Sequence, residues 1–471
     1  MNQAESISAR IGRARRLLAM AINGTEKEFT SGSIRRALFI LAIPMVLEMV
    51  MESLFAVVDI YFVGKVSVDA LATVALTESI LFLVYAIAVG LSMATTAMIS
   101  RRVGEKKHEE ASKAAAQALF IGLSFAAVIS ISGLFFSKDI LRLMGGSEQL
   151  IEAGSGYAMW MLGGNLTIML LFLNNAIFRG AGDAAISMRV LWVSNGLNML
   201  LDPCLIFGYG PFPELGVTGA AVATNIGRGI GVVWQLWILF RGNGVIMIKR
   251  QDLVANLALM WRLIKVSFGG MGQFLIGSAS WTFMVRIISI FGSEALAGYT
   301  VSFRIIIFTI LPSWGLANAA ATLVGQNLGA NQPDRAEKSV WYAAFYNMVF
   351  LTAISALFFT NASFFVGLFS QEAEVIRYGV MSLKIICSGY IFFAYGMVVS
   401  QAFNGAGDTR TPTIINLIGY WLIQIPLAYV LSVTLAWGPV GVFIAIALTL
   451  VFIAVISVAV FRRGKWKEVL I

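Results

Sequence analysis

Long apolar stretches alternate with short polar segments along almost the whole chain. The stretches 114–137, 153–178, 305–333, 339–371 and 411–461 contain no Asp, Glu, Lys or Arg. Each is longer than the roughly 18 to 20 residues with which a helix crosses the hydrocarbon layer of a membrane. The pattern therefore predicts membrane-spanning helices rather than the amphipathic helices of a soluble protein.

A helix-length window divides the chain into about twelve apolar segments. The last uncharged run is long enough for two spans, and Gly438-Pro439 supplies the turn between them. The twelve segments lie at 37–62, 70–99, 114–136, 153–177, 187–207, 217–240, 266–291, 295–324, 339–366, 378–402, 412–434 and 440–461. We interpret them as transmembrane helices, which makes the chain an all-α polytopic membrane protein.

The composition agrees with this interpretation and excludes other classes of protein. Hydrophobic residues make up 58% of the chain and charged residues 13%, about half the charged share of a soluble domain. A soluble enzyme, a nucleic-acid binder and a secreted disulfide scaffold are excluded. Cys204 and Cys387 lie in apolar segments and His108 is the only histidine, so neither a disulfide framework nor a metal cluster is predicted.

Basic residues favour one set of loops over the other. If the N-terminus is cytoplasmic, most of the 34 Lys and Arg residues fall in cytoplasmic segments, in agreement with the positive-inside rule. The opposite loops contain few basic residues, namely Lys65, Lys138, Arg142 and Arg377. The sequence therefore predicts that both termini are cytoplasmic.

An internal repeat relates the two halves of the chain at a constant offset of 225 positions. The matches are Phe178 and Gly180–Asp183 with Phe403 and Gly405–Asp408, Gly104 with Gly329, and Lys113 with Lys338. The offset spans six helices, an even number, so both halves enter the membrane from the same side. This predicts a parallel repeat, with two six-helix lobes related by a pseudo-twofold axis along the membrane normal.

The repeat divides the chain into five predicted parts. They are a cytoplasmic N-terminal segment with a surface helix, 1–36, an N-lobe of helices 1 to 6, 37–240, a cytoplasmic linker, 241–265, a C-lobe of helices 7 to 12, 266–461, and a basic cytoplasmic tail, 462–471. Such an arrangement places a cavity between the lobes and allows one lobe to rock against the other.

Three carboxylates lie on one face of the first predicted helix. Glu48, Glu52 and Asp59 are separated by 4 and 7 positions, so they fall within about 40° of one another around the helix. Because a carboxylate inside the membrane costs on the order of 3 kcal/mol, these residues are candidates for function. We expect Glu48 and Glu52 to line the cavity, either as substrate-binding groups or as an ordinary polar lining.

Helix 5 carries a second polar group. Asn198 and Asp202 lie one turn apart on the same face, and Thr224 of helix 6 adds a hydroxyl, so their oxygens could hold a proton or a small hard cation. The alternative is that Asp202 caps a helix or pairs locally, for example with Arg228. Glu78 in helix 2 is a further candidate for the cavity.

The second half has different ionisable residues. At the repeat offset, Ile423 and Leu427 occupy the positions of Asn198 and Asp202. The second half instead contains Arg286, Arg304 and Lys384 in apolar segments. We expect the two arginines to be ion-paired or to snorkel to the interface, and Lys384 is a candidate for the cavity.

Several short sequence motifs, spread along nearly the whole chain, resemble those of the multidrug and toxic compound extrusion (MATE) transporters. They are Val57-Val58-Asp59 with Gly64 and Ala70–Ala72, Phe178–Asp183, Asn198 to Pro203, Gly219 to Thr224, Gly315 to Gln326, and Phe403–Asp408. The resemblance implies twelve helices, a V-shaped cavity between two lobes and drug efflux coupled to inward flow of H⁺ or Na⁺.

The resemblance also assigns roles to individual residues. Asp59, Asn198, Asp202 and Thr224 match the positions that bind the coupling ion in the N-lobe of the DinF-like branch. Branches similar to NorM also use acidic residues in helices 7 and 10. This chain has no carboxylate in helix 7, where Gln273 is a polar candidate for the cavity, and it has Lys384 in helix 10, which speaks against a cation site in the C-lobe.

These observations lead to one functional hypothesis. The chain is expected to be a secondary antiporter in the plasma membrane of a prokaryote that exports amphipathic, cationic organic compounds. It would need no cofactor besides the coupling ion, H⁺ or Na⁺, and no nucleic acid or obligate protein partner. The alternative is a flippase for lipid-linked oligosaccharides, which would favour a cationic cavity; Glu48 and Glu52 argue against it.

Overall fold

Every regular element is helical in the residues that the computed structural model describes, which are 7–24, 29–242 and 244–471. Positions 1–6, 25–28 and 243 belong to the predicted N-terminal segment and linker and lie outside the described residues. The α-helices are α1 Ile7–Asn23, α2 Ile34–Gly64, α3 Val68–Gly104, α4 His108–Leu143, α5 Glu148–Gly163, α6 Asn165–Gly180, α7 Ala184–Phe207, α8 Val217–Arg241, α9 Leu257–Ile288, α10 Ser293–Gly329, α11 Pro333–Gly367, α12 Ala373–Ser388, α13 Tyr390–Ala406, α14 Arg410–Asn416, α15 Ile425–Tyr429 and α16 Pro439–Arg462.

By length and apolar composition, the described helices account for eleven of the twelve predicted membrane spans. Ten helical rods are long and apolar enough to cross a membrane, among them Glu148–Gly180 and Arg410–Thr434. The first of these rods joins α5 to α6, and the second includes α14, α15 and two π-helical stretches. α12 and α13 form an eleventh span with a 57° bend, and α8, with 25 residues, is long enough to be the twelfth. The all-α architecture with about twelve spans is confirmed.

Local sequence fixes where several spans begin. Ser67 precedes α3 and its hydroxyl accepts a hydrogen bond from the Ala70 backbone N–H at 3.0 Å. Asn256 caps α9 in the same way through Leu259 N at 3.0 Å. These side chains satisfy backbone donors that have no partner inside the helix, so the polar residue before each apolar run sets the helix start.

Irregularities of the helices repeat at the same offset as the sequence. Phe136 in α4 and Asn361 in α11 both have non-helical dihedral angles and mark kinks. Gly164 separates α5 from α6, and Gly389 separates α12 from α13. Each pair is 225 positions apart, so the predicted parallel repeat extends to the breaks within the spans.

Turn conformations repeat as well. Lys106 after α3 and Asn331 after α10 have positive φ angles of 61° and 56°. Gly182 after α6 and Gly407 after α13 have φ angles of 84° and 89°, which glycine adopts without steric cost. The Gly-Ala-Gly-Asp words are therefore tight turns between helices, as their position in the sequence predicts.

Successive spans reverse direction, and this places alternate loops at one end of the bundle. We call this end the basic face; it includes the α3–α4, α6–α7, α8–α9, α10–α11 and α13–α14 connections and the segment after α16. Arg101, Lys106, Arg335, Arg410 and Arg463 lie there. The opposite end is called the far face.

The first spanning helix packs on both halves of the chain. Its end near the basic face, with Leu38, Leu41 and Met45, belongs to a buried cluster that also contains Ala320 and Val340 of the second half. Its contacts with α10 are as extensive as those with α7. α2 is thus shared at the seam between the halves, whereas the predicted division assigns all of it to the N-lobe.

Candidate functional site

A cavity of about 230 Å³ lies between the two halves of the bundle. The first half lines it with Glu48 and Glu52 of α2, Tyr85 of α3, Arg179 of α6 and Arg228 of α8. The second half contributes mainly uncharged groups, among them Phe274, Trp314, Asn318, Gln401 and Asn404. All ionisable side chains of the lining therefore come from the first half.

Glu48 forms a buried ion pair across the cavity wall. Its side chain is 1% exposed, and Arg179 Nη1 donates to Glu48 Oε1 at 3.1 Å. Arg179 lies in the last turn of α6, near the basic face. Its side chain nevertheless contributes to the cavity lining.

Glu52, one turn further along α2, is also neutralised. Asn195 Nδ2 donates to Glu52 Oε2 at 2.9 Å, and Arg228 Nη2 lies 3.7 Å from Glu52 Oε1. The Arg228 guanidinium also lies 5.5 Å from the centre of the Phe55 ring. The predicted acidic stripe exists, but an arginine lies against each of its two cavity-lining carboxylates.

The repeat has an uncharged counterpart of the Glu48–Arg179 pair. The positions 225 residues later are Gln273 and Asn404, whose side-chain amides form two hydrogen bonds with each other, at 2.9 and 3.1 Å. Asn404 lines the cavity and Gln273 lies behind it. The same structural position therefore holds an ion pair in one half and an amide pair in the other.

A second polar cluster lies between α7 and α8. Asp202 is fully buried, and neither of its carboxylate oxygens has a hydrogen-bond donor. Asn198 Nδ2 donates to Thr224 Oγ1 at 3.1 Å, which leaves Asn198 Oδ1 as a third buried acceptor without a donor. Asp59 is half-buried and close enough to interact electrostatically with Asp202.

Close packing of two neighbouring helices holds this cluster together. Gly227 of α8 lies against the Ser194 carbonyl of α7, and a Cβ at this glycine would approach that oxygen to 2.7 Å. Because glycine lets the helices approach, Asn198 and Thr224 come within hydrogen-bond distance. The predicted grouping of Asn198, Asp202 and Thr224 is thus present, with Asp59 beside it.

The alternative of a local pair between Asp202 and Arg228 is not observed. The carboxylate in ion-pair contact with Arg228 is that of Glu52, and Arg228 also interacts with the Tyr85 hydroxyl and, electrostatically, with Asp59. Arg228 therefore lies between the cavity and the cluster, and it connects the two electrostatically.

Three of the residues predicted for the cavity do not line it. Glu78 of α3 is exposed and within electrostatic reach of Arg304 of α10. Lys384 of α12 is half-buried, and no carboxylate forms an ion pair with it in the part of the chain that the structure describes. Gln273 is absent from the lining and contacts the lining residue Asn404.

Sequence reasoning did not assign Arg179, Asn195, Tyr85 or Asn404 to the site. One signal could have found two of them, because Glu48 and Arg179 have Gln273 and Asn404 as their repeat partners. When an oppositely charged pair in one half corresponds to a pair of amides at the equivalent positions of the other half, the two members of each pair are expected to be in contact. Asn195 and Tyr85 offer no comparable pattern.

Toward the basic face, α3 and α10 cross in close contact beyond the cavity. A Cβ on Gly104 would overlap the backbone of Gln326, and a Cβ on Gly329 would overlap the backbone of Arg101. Both contacts lie beyond the lining residues Thr96 and Thr322, on the side of the basic face. The two glycines are repeat partners: Gly104 of α3 packs against α10, and Gly329 of α10 packs against α3.

Comparisons with known proteins agree with this architecture. A family model described as MatE matches residues 44–204 and 271–430, one segment in each half of the repeat. The chain is 26% identical over 443 residues to a Thermotoga maritima protein named probable multidrug resistance protein NorM, covering 92% of this chain and 94% of that protein. It is 23% identical over 398 residues to a Shewanella oneidensis protein named FAD transporter, covering 84% and 88%.

The fold also matches a solved structure over almost its full length. That structure is described as the outward-facing conformation of a multidrug resistance MATE family transporter. The TM-score is 0.88 at 25% sequence identity, and the match covers 93% of this chain and 98% of the other. The similarity includes both halves, so the bilobed arrangement of helices is shared.

Proposed function

The chain belongs to the MatE family of transporters, whose model matches more than half of its residues, and on this premise we propose that it is a secondary active antiporter. It exports amphipathic organic compounds in exchange for H⁺ or Na⁺. The names of relatives, multidrug resistance protein and multidrug export protein, support export of organic compounds.

The observation that carries the proposal is the group of unpaired acceptors between α7 and α8. The two carboxylate oxygens of Asp202 and Oδ1 of Asn198 are buried without a donor. A buried acceptor without a partner costs about 1 to 3 kcal/mol, and more when it is charged. Binding a proton or a Na⁺ ion removes this cost, so the cluster is suited to the coupling ion, with Asp59 and Thr224 adding oxygens.

Arg228 couples the ion-binding cluster to the cavity electrostatically. It interacts with Glu52 in the cavity lining and electrostatically with Asp59 beside the cluster. Neutralising Asp59 weakens its hold on Arg228, which strengthens the attraction between Arg228 and Glu52 and alters the charge presented to substrate. Ion and substrate thereby favour different states of one transporter, which is the requirement for exchange.

The cavity selects substrates by shape and by charge. Phe172, Phe274, Trp314, Met49 and Met93 provide an adaptable apolar wall. Each carboxylate faces an arginine, so a cationic substrate has to compete with Arg179 or Arg228. We propose amphipathic cations as the main substrates, while the balanced charge also leaves room for neutral compounds.

Replacing Glu48 and Glu52 together with Gln should weaken transport of cationic compounds more than that of neutral ones. Loss of even one partly desolvated ion pair with substrate, on the order of 1 kcal/mol, corresponds to about fivefold in apparent affinity. Competition assays with a matched cationic and neutral pair of dyes would measure it. Equal losses for both dyes would mean that the carboxylates act only as lining.

A flippase for lipid-linked oligosaccharides is not favoured. Recognition of a diphosphate requires an excess of positive charge, and in this cavity two arginines face two carboxylates. The match to the MatE family points in the same direction.

We further propose that the protein lies in the plasma membrane of a prokaryote with its basic face in the cytoplasm. In a variant lacking Cys204 and Cys387, a cysteine at position 106 should react with an impermeant maleimide only in inverted vesicles. A cysteine at position 138 should react in intact cells. Reaction of position 106 in intact cells would reverse the orientation.

Purified protein in liposomes tests the proposed activity. A fluorescent organic cation is enclosed, and a Na⁺ gradient or a pH gradient is imposed separately. We expect at least one of the two gradients to drive efflux of the cation. Liposomes without an imposed gradient are the control and should not show this efflux. If neither gradient changes the flux, antiport is the wrong mechanism.

A further inference from the structure

A groove of about 480 Å³ opens on the outside of the bundle at the basic face, between the ends of α2 and α11. Its walls contain Arg35 of α2 and, from α11, Lys338, Trp341, Tyr342, Phe345 and Tyr346. It is separate from the central cavity. Two cations and four aromatic rings therefore meet where the membrane interface lies.

The two cations have no acidic partner within the described residues. Arg35 lies over the Tyr342 ring, with its guanidinium carbon 4.9 Å from the ring centre. The nearby carboxylates are already engaged, because Lys467 Nζ lies 2.6 Å from Glu337 and 3.6 Å from Asp334. Among the described residues, the groove thus presents two positive charges without an ion-paired carboxylate.

An apolar surface continues from the groove toward the middle of the membrane. Phe345 and Val349 of α11 are each 49% exposed, and Phe39 of α2 is 40% exposed. Phe39 packs against Tyr346, with ring centres 5.0 Å apart. A ligand with a charged end and long apolar chains would match both parts of this surface, whereas a soluble anion would use only the first.

The repeat provides an internal comparison that separates this groove from a general interface belt. The positions of Arg35, Trp341, Tyr342 and Tyr346 are occupied in the other half by Met260, Ala116, Gln117 and Ile121. Only Lys338 keeps its charge, as Lys113. Phe345 likewise keeps an aromatic partner, Phe120, so Arg35 and three of the four aromatic rings are specific to the α2–α11 side.

The equivalent place in the other half is covered by protein. Gln117 is buried there, and its side chain bonds the interlobe linker through the carbonyls of Asp252 and Val254 and through Asn256 N. Within the described residues, no such segment covers the Arg35–Lys338 groove. The open cationic groove between α2 and α11 therefore corresponds to a place in the other half that the linker fills.

We propose that this groove binds the headgroup of an anionic phospholipid. The phosphate lies between Arg35 and Lys338, the aromatic residues flank the glycerol region, and the acyl chains follow Phe39, Phe345 and Val349. Basic pockets between membrane helices at the cytoplasmic side are known to hold such headgroups. The site joins a helix of the first half to one of the second, and it does not depend on the transport activity.

Native mass spectrometry of the purified protein with phosphatidylglycerol or phosphatidylcholine tests the proposal. Wild type should retain phosphatidylglycerol preferentially. Because each basic residue at an anionic surface contributes roughly a fivefold attraction, Arg35→Gln with Lys338→Gln should lower this retention about 25-fold. Glycerol phosphate in solution should not displace the lipid, since it lacks the acyl chains.

A matched variant separates this site from general surface charge. Lys113 and Arg262 are also exposed at the basic face, and Lys113→Gln with Arg262→Gln removes the same charge near the covered groove. This variant should retain the lipid as wild type does. If the two double variants behave alike, or if phosphatidylcholine is retained equally, the groove is not an anionic lipid site. Lys338→Gln alone, with an expected fivefold loss, serves if the first variant is unstable.

Discussion

Replacing Arg179 with Asn should destabilise the protein by about 3 to 5 kcal/mol, the usual result of leaving one member of a buried ion pair without its partner. Glu48 is 1% exposed and its other carboxylate oxygen already lacks a donor. Adding Glu48→Gln to the same chain should recover most of that stability. The recovery is expected because the double variant recreates the Gln273–Asn404 amide pair that the other half contains.

Thermal unfolding in detergent would measure the four members of this cycle: wild type, the two single variants and the double variant. Glu48→Gln alone should also be destabilised, because it leaves the Arg179 charge unpaired. A double variant as unstable as Arg179→Asn would contradict the equivalence of the two pairs. Ligand-free samples are required, since bound substrate would stabilise the folded state.

Replacing Gly329 with Leu should open the cavity toward the basic face. The added side chain would overlap the backbone of Arg101, so α3 and α10 must separate. Overpacking of this kind costs about 1 to 3 kcal/mol, which changes the population of the closed state by about fivefold to more than a hundredfold. Gly104→Leu should act in the same way against Gln326.

A cysteine at position 322, in the cavity lining, would report this opening. It should react with an impermeant maleimide from the basic face on the order of ten times faster in Gly329→Leu than in the parent protein. Gly277→Leu is a matched control, because a Cβ at this helical glycine meets no atom within 4 Å. Equal rates in the two variants would show that the crossing is not the seal.

The sequence predicts the spans and the repeat well because both follow from short-range properties. Apolar length determines a span, and the even offset of the repeat determines its direction. The Asn198, Asp202 and Thr224 cluster is also predictable, since one helix turn separates the first two and α7 and α8 are consecutive helices. Neighbouring helices in sequence pack closely here.

Contacts between distant helices were not predictable in the same way. Arg179 lies near a helix end, where a long side chain can extend into the loop or into the bundle, and only packing decides that it meets Glu48, 131 positions earlier. Glu78 and Lys384 were expected in the cavity from their polarity. Whether they face it depends on the rotation of α3 and α12, which apolar spans without a strong polar face leave undetermined.

The packing of α2 on both halves was not predictable for a related reason. Helix order suggests that α2 packs with its own half. Its end near the basic face also packs against Ala320 and Val340 of the second half. The surfaces of the two halves are both apolar, so composition does not show which of them α2 contacts. The π-helical stretch Leu417–Gln424 also changes which face of that span meets its neighbours, so a constant offset compares its residues only approximately.

The proposed location of ion coupling in the first half is tested most directly by gradient-driven efflux from liposomes containing Asp202→Asn or Lys384→Met at matched protein content. The buried, unpaired oxygens of Asp202 predict that Asp202→Asn abolishes the response to the ion gradient while the protein remains folded and inserted. Lys384→Met should keep that response, since Lys384 contacts neither the cavity nor the cluster. If Asp202→Asn still follows the gradient and Lys384→Met does not, coupling lies in the second half and the account is contradicted.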